Sequence, residues 1–464
     1  MHDEALLIRG GTVLTGDPEL GVLLDTDIIV EQGHIRSVGR GLEAGHCRVV
    51  DASDMIVMPG LVDSHRHTWQ SLIRGIAADW TLAQYWQGIR AMFGPLYEPD
   101  DVYLANLLGA LEALDAGVTT LVDWSHIMNS PAHADAAIQG LRDSGMRAVF
   151  AHGTPTDGRT TDWYVASSIR HPDDIRRIRS EHFPHDDGLV TLAMAARGPQ
   201  NCALDATEHD WNLARELGLR ITVHTGSGRW GKVRPIEQLH SRGLLGPDTT
   251  YVHCNSLSDD ELKLIADTGG TVSISPEVEM HMGHGYPATG RLLAQGVRPS
   301  LSVDVVTGVG GDLFGTMRVC LAAERARAND EALRHDTQLD ELELRTADVL
   351  GFATIEGARA CGLEAKTGSL TPGKEADLVL LRCDRPNLVP LNNPAATAVL
   401  AATPANVDTV LVAGRIVKQG GVLVGVDIDR VRRAAETARD RLFRKLDVPV
   451  GLEWYPNVAD TWKP

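Results

Sequence analysis

The sequence has 464 residues, 43% hydrophobic and 23% charged, which excludes a disordered, collagen-like or fibrous chain. Its 44 Lys and Arg against 62 Asp and Glu leave a formal charge of −18, which argues against nucleic acid or anionic lipid as partners. The six cysteines show no short Cys-x-x-Cys spacing, so reduced thiols in a cytoplasmic protein are expected rather than a zinc knuckle or a disulfide scaffold. MHDEALLIRGG at the start has no apolar signal region, and no stretch of about 18 apolar residues escapes charge, Gly or Pro, so no membrane association is expected.

Residues 5–58 alternate short apolar runs with turn signals (LLIRGGTVLTG, DIIVEQGHIRSVG, CRVVDASDMIVMPG), the spacing of short β-strands. From residue 59 the pattern becomes apolar β-branched runs separated by helical periodicity, which predicts βαβ units and a parallel sheet. Eight such runs occur: VMPGLVDSH (57–65), VTTLVDW (118–124), RAVFAHG (147–153), LVTLAMAA (189–196), LRITVHT (219–225), TTYVHC (249–254), TVSIS (271–275) and VRPSLSVD (297–304). Their number and order predict an α/β fold with a (β/α)8 TIM barrel. Short strands return in TGSLTPGKEADLVLL and VDTVLVAGRIVKQGG. Too few strands lie at either end to bury a core alone, so 1–58 and 365–424 are expected to combine into a small composite β-sandwich around a barrel at 59–364. Residues 425–464 are read as a C-terminal helix, DIDRVRRAAETARDRLFRKL, and a tail.

His65 and His67 end the first barrel run, and at period two their side chains share one face. His224, His253 and Asp304 end the fifth, sixth and eighth runs, and barrel enzymes build their sites at those carboxyl ends. Neutral imidazoles with one carboxylate form a ligand set for Zn2+ or another divalent first-row ion such as Fe2+. A closed structural zinc site, the competing reading, favours cysteine and local loops. With a position left for water, hydrolysis is the natural use, a nearby carboxylate accepting the proton of the attacking water. Trp69, Trp80, Tyr85 and Trp86 follow the first run, where aromatic side chains either cover a planar ring or pack the core.

MPGLVDSHRHTWQSLIRG (58–75), EALDAGVTTLVD (112–123), VRPIEQLHSRGLLGPDTTYVHCNSLSDDEL (233–262) and GSLTPGKEADLVLL (368–381) together resemble the amidohydrolase superfamily, within it the cytosine deaminase-like, triazine hydrolase group. The resemblance implies one divalent ion on His65, His67, His224 and Asp304, with His253 orienting water or polarising substrate. It places Gln70 at a position that touches substrate in relatives, and it implies a homo-oligomer, a dimer or larger. The fourth run lacks the lysine that bridges two metals in other branches, which favours a mononuclear site.

The sequence departs from that group at three places, one of them the run VVTGVGGDLFGTM after Asp304, where substrate contacts are expected to differ. The fifth strand of the group carries His-x-x-Glu, the glutamate acting as proton shuttle, whereas this chain reads His224-Thr225-Gly226-Ser227. Serine cannot serve as a carboxylic acid, so Ser227 is expected to contact substrate, and the proton shuttle is relocated, supplied by the substrate, or not needed. After the seventh run, Glu279 stands where relatives have asparagine, and Glu277, Glu279, His281 and His284 are candidate replacements or substrate ligands, Glu279 first and His281 second; a solvated loop is the competing reading. The reading is a metal-dependent hydrolase attacking a C–N bond of a small heterocyclic compound, with Trp69, Gln70, Trp86 and Ser227 as substrate contacts. The alternatives are cyclic-amide ring opening, dehalogenation or a lyase step on the same metal, and a non-catalytic relative.

Overall fold

Gly60 divides the run expected as the first barrel strand. A Cβ there would lie 2.0 Å from Thr119 Oγ1, so only glycine lets the chain pass between two sheets at this point. In the computed structural model, which describes residues 5–457, Met55–Pro59 joins a terminal sheet and Leu61–Arg66 begins the barrel. The first residues of the leader reading, 1–4, and the end of the expected tail, 458–464, lie outside the described residues.

The barrel strands are β1 (Leu61–Arg66), β2 (Val118–Ser125), β3 (Arg147–His152), β4 (Val190–Ala196), β5 (Arg220–Thr225), β6 (Thr249–His253), β7 (Thr271–Ile274) and β8 (Ser300–Leu301). They pair in parallel in chain order, as βαβ units require. The eighth run is strand over two residues only, and the barrel closes on single contacts: His67 N–H donates to Asp304 O at 2.8 Å and Asp304 N–H to His65 O at 3.0 Å. Ser64, Ser273, Ser300 and Ser302 line this seam and bond one another through their hydroxyls. The seam therefore lies at the residues that carry the expected site.

The two chain ends do combine. Leu378–Arg382 pairs antiparallel with Met55–Pro59, Leu380 opposite Val57, and this pairing joins both halves into one continuous nine-stranded mixed sheet. Leu378 and Leu380 pack with Leu6, Ile8, Val30, Ile35 and Leu411 in a core of its own, while Val379 and Leu381 face the large core shared with the barrel. Arg147, buried at the start of β3, ties the two bodies together through Asp377 Oδ2 at 2.7 Å and Glu375 Oε2 at 2.6 Å. A terminal helix spans Ile428–Leu446 after Asp427, whose side chain accepts from Arg430 N–H. Its Arg441 and Lys445 pair with Glu98. Among the described residues no helix is long and apolar enough to cross a membrane.

Candidate active site

β1, β5 and β6 and the turn after β8 deliver four imidazoles and one carboxylate to one end of the barrel. His65 Nε2 lies 3.2 Å from His224 Nε2 and 3.3 Å from Asp304 Oδ1, and His67 Nε2 lies 3.4 Å from the same oxygen. His253 Nε2 faces Asp304 Oδ2 at 3.8 Å. Both His253 and Asp304 turn into the left-handed region, at φ 80° and 66°. Non-glycine residues adopt it at a cost of about 1–2 kcal/mol, here where strand ends aim side chains into a shared space.

The donor set fits a divalent cation. His67 Nδ1 donates to Trp124 O at 2.8 Å, which leaves its Nε2 lone pair directed at the cluster. His65, His67 and His224 each present a ring nitrogen within 4.8 Å of the others, as do His65, His253 and Asp304 with one ligand atom each. Lone pairs of neutral imidazoles facing one another repel, and a cation between them removes the repulsion. Burial, followed by the neighbouring charge of His65, pushes His67 down to about 3, and burial likewise holds His224 well below the usual histidine range. Burial alone would raise Asp304, but the hydrogen bond and charge of His65 outweigh it and hold the carboxyl low. His65, His67 and His224, all lowered by burial, therefore stand as neutral imidazoles beside an ionised carboxylate.

The cavity above the cluster is lined by Tyr85, Trp86, Arg90, His126, Tyr164, Ser227 and His284, among others. Trp86 and Ser227 thus stand on its wall as expected. Trp69 and Gln70 stand behind it, in a fully buried 3-10 helix over Thr68–Ile73. Trp69 Nε1 donates to His126 Nδ1 at 2.9 Å, and Gln70 Nε2 to the Tyr85 hydroxyl at 2.6 Å, so each fixes a residue that does face the cavity. Trp80 packs on Trp454, away from the cluster.

The structure does not bring Glu279 or His281 over the histidine and aspartate cluster. Pro276–His281 folds as a short helix directly after β7, which turns Glu279 back onto the strand end. Its Oε1 accepts from Ser275 N–H at 2.8 Å and from His253 Nδ1 at 3.2 Å, and its Oε2 from Asn255 Nδ2 at 3.0 Å. His281 Nε2 meets Ala77 O at 3.4 Å, off the cavity wall. His284 enters instead: its Cα lies 3.7 Å from where a Cβ of Gly228 would stand, beside Ser227, and its ring lies 4.7 Å from His253. Both its ring nitrogens are buried with no hydrogen-bond partner among the described residues. His284 is among the candidates the sequence offers, whereas sequence reasoning missed Arg90 and His126. His126 follows the end of β2, where the strand-end rule would have found it; Arg90 sits in a π-helical stretch, Trp86–Phe93, that no local signal announces.

The model of the amidohydrolase family matches residues 56–417. The chain belongs to the amidohydrolase family. This amidohydrolase is 31% identical to a 5-methylthioadenosine/S-adenosylhomocysteine deaminase of Symbiobacterium thermophilum, over 95% of this chain and 100% of the relative. It is 30% identical to a 5'-deoxyadenosine deaminase of Methanothermobacter thermautotrophicus with the same coverage. Among solved structures, an adenosine deaminase from Xanthomonas campestris with bound zinc superposes at TM-score 0.81 and 26% identity, covering 95% of this chain and 98% of that one. The atrazine chlorohydrolase of Arthrobacter aurescens shares the fold at TM-score 0.83 and 23% identity, with 94% and 100% covered. The amidohydrolase is accordingly a metal-dependent hydrolase of C–N bonds in small nitrogenous compounds.

Proposed function

We propose that this amidohydrolase deaminates a small cyclic nitrogenous compound, using one divalent ion, Zn2+ or Fe2+, held by His65, His67, His224 and Asp304. The observation that carries the reading is the convergence of three imidazole nitrogens and Asp304 below an aromatic-walled cavity. The missing lysine on β4 supports a single ion, and the deaminase names of the relatives support the leaving group. When bound, such an ion acts as a Lewis acid and brings the pKa of water toward about 7.

The remaining chemistry belongs to the chain. Asp304 accepts the proton of the attacking water on Oδ2, the oxygen turned toward His253. His253, fixed through Nδ1 by Glu279, holds the water or the polarised substrate atom at Nε2. Ser227 contacts the ring without supplying an acid, and the unpartnered His284 beside it offers the hydrogen bond to a ring nitrogen or the departing amine. Trp86 and Tyr164, with ring centroids 5.1 Å apart, cover the substrate and exclude water.

A second reading rests on Ser227. With no fifth-strand carboxylic acid, a leaving group that needs no protonation, such as a halide, would also depart. Incubation of metal-loaded protein with amino- and halo-substituted purines, pyrimidines, pterins and triazines, read by mass spectrometry, separates the two. Exchange of an amino group for oxygen with ammonia release supports deamination. Chloride release with amines left intact would replace it by dehalogenation.

A further inference from the structure

Arg90 is a buried cation that nothing in the described structure neutralises. It is 2% exposed, and its Nε donates to Thr156 Oγ1 at 3.0 Å. Its Cζ lies 5.0 Å from the Trp86 ring centroid and 4.8 Å from that of Tyr164, so the two rings hold the guanidinium on the cavity wall. Nη2 is buried with no hydrogen-bond partner, and among the described residues Arg90 forms no ion pair. A buried, unpaired charge costs several kcal/mol, and donors of this fork geometry match a planar oxyanion.

His126 adds a second donor beside it. The Thr156 hydroxyl that accepts from Arg90 itself donates to His126 O, which links the two residues. Because His126 Nδ1 accepts from Trp69, the neutral ring carries its proton on Nε2. That ring stacks on His67 at 3.9 Å, so the donor pair stands next to the metal cluster.

We propose that Arg90 and His126 form a carboxylate-binding subsite, so that the substrate is an amino-substituted heterocycle carrying an acidic group. The proposal rests on the deaminase reading for the position of the amine, and on the cavity alone for the acid. The carboxylate spans Arg90 Nη2 and the His126 Nε2–H, the ring lies against Trp86 and Tyr164, and the amine projects toward Asp304 and His253. A neutral ligand would leave the guanidinium uncompensated, so the subsite selects against it.

The test measures binding by calorimetry on zinc-loaded protein with matched pairs of aminopyridine, aminopyrimidine and aminopurine carboxylates and their carboxamides. Each acid is expected to bind about 10-fold or more tightly than its amide, the range of a charge-assisted pair. Arg90→Met should abolish that preference while zinc content and near-UV circular dichroism stay native, and Arg90→Lys should restore part of it. Equal binding of acids and amides, binding of neither, or a preference that survives in Arg90→Met would overturn the subsite; the last would put the acid on the ion. Ammonia release, followed separately, tests the deaminase reading, so either can fail without the other.

Discussion

Glu279 and His253 form a buried pair in which His253 Nδ1 donates to Glu279 Oε1 at 3.2 Å, turning His253 Nε2 toward Asp304. Burial lowers the affinity of His253 for a proton, but the Glu279 hydrogen bond and the charges of Asp304 and Glu279 outweigh it and raise the group above its ordinary value. Glu279 therefore acts through His253, from behind the cavity wall. Glu279→Gln should lower kcat by about 10- to 100-fold with metal content retained. The ionisation belonging to His253 should also move to lower pH, because a raising charge is gone. An unchanged pH profile with unchanged kcat would exclude this positioning role.

Asp304 should be needed as a proton acceptor as well as a ligand. Asp304→Asn keeps the barrel seam, because the backbone bonds of Asp304 to His65 and His67 do not involve the side chain. Turnover should fall by about 10²-fold or more, the range for lost general-base assistance. Steady-state kinetics on protein with matched metal content checks this.

His67→Ala removes a ring whose Nδ1 is already anchored to Trp124 O and whose Nε2 faces the cluster. Metal content by mass spectrometry and turnover should fall together. Wild-type metal content in this variant would move the ion elsewhere.

How far the site was legible depended on the kind of residue. His65, His224, His253 and Asp304 could be found because parallel-strand runs end where barrel sites form, and the structure brings them together. The eighth run is legible as a run, but not that strand geometry persists over only two of its residues, where Ser300 bonds Ser64 and Ser302 bonds Ser273 through their hydroxyls. Trp69 and Gln70 were placed near the cavity, but a 3-10 helix buried on all sides carries no periodicity that tells wall from backing. Glu279 was misplaced because loop length alone does not show that Pro276 starts a helix which folds the side chain back onto Ser275.

Away from the site, His152 and His171 are fully buried, with His152 Nδ1 3.0 Å from His171 Nε2. Burial pushes His152 down to about 4. The folded state therefore takes up its proton later than the unfolded chain, whose histidine titrates near 6.5. Stability from this group is fully present above about pH 6.5 and lost as pH falls toward 4, on the order of 3 kcal/mol in all. Denaturant unfolding between pH 7 and 5 should show stability falling with pH, and His152→Asn, which cannot take up the proton, should flatten that slope. An equal slope in the variant would contradict the assignment.

The central claim is that the histidine and aspartate cluster, carrying one ion, breaks a C–N bond. Zinc titrated into chelator-stripped protein, with ammonia release from an amino-heterocycle measured at each addition, tests it most directly. The account predicts no release at zero zinc, a linear rise that saturates at about one equivalent, and no activity from His67→Ala at any zinc level. Release by the stripped protein, or saturation at two equivalents, would contradict it.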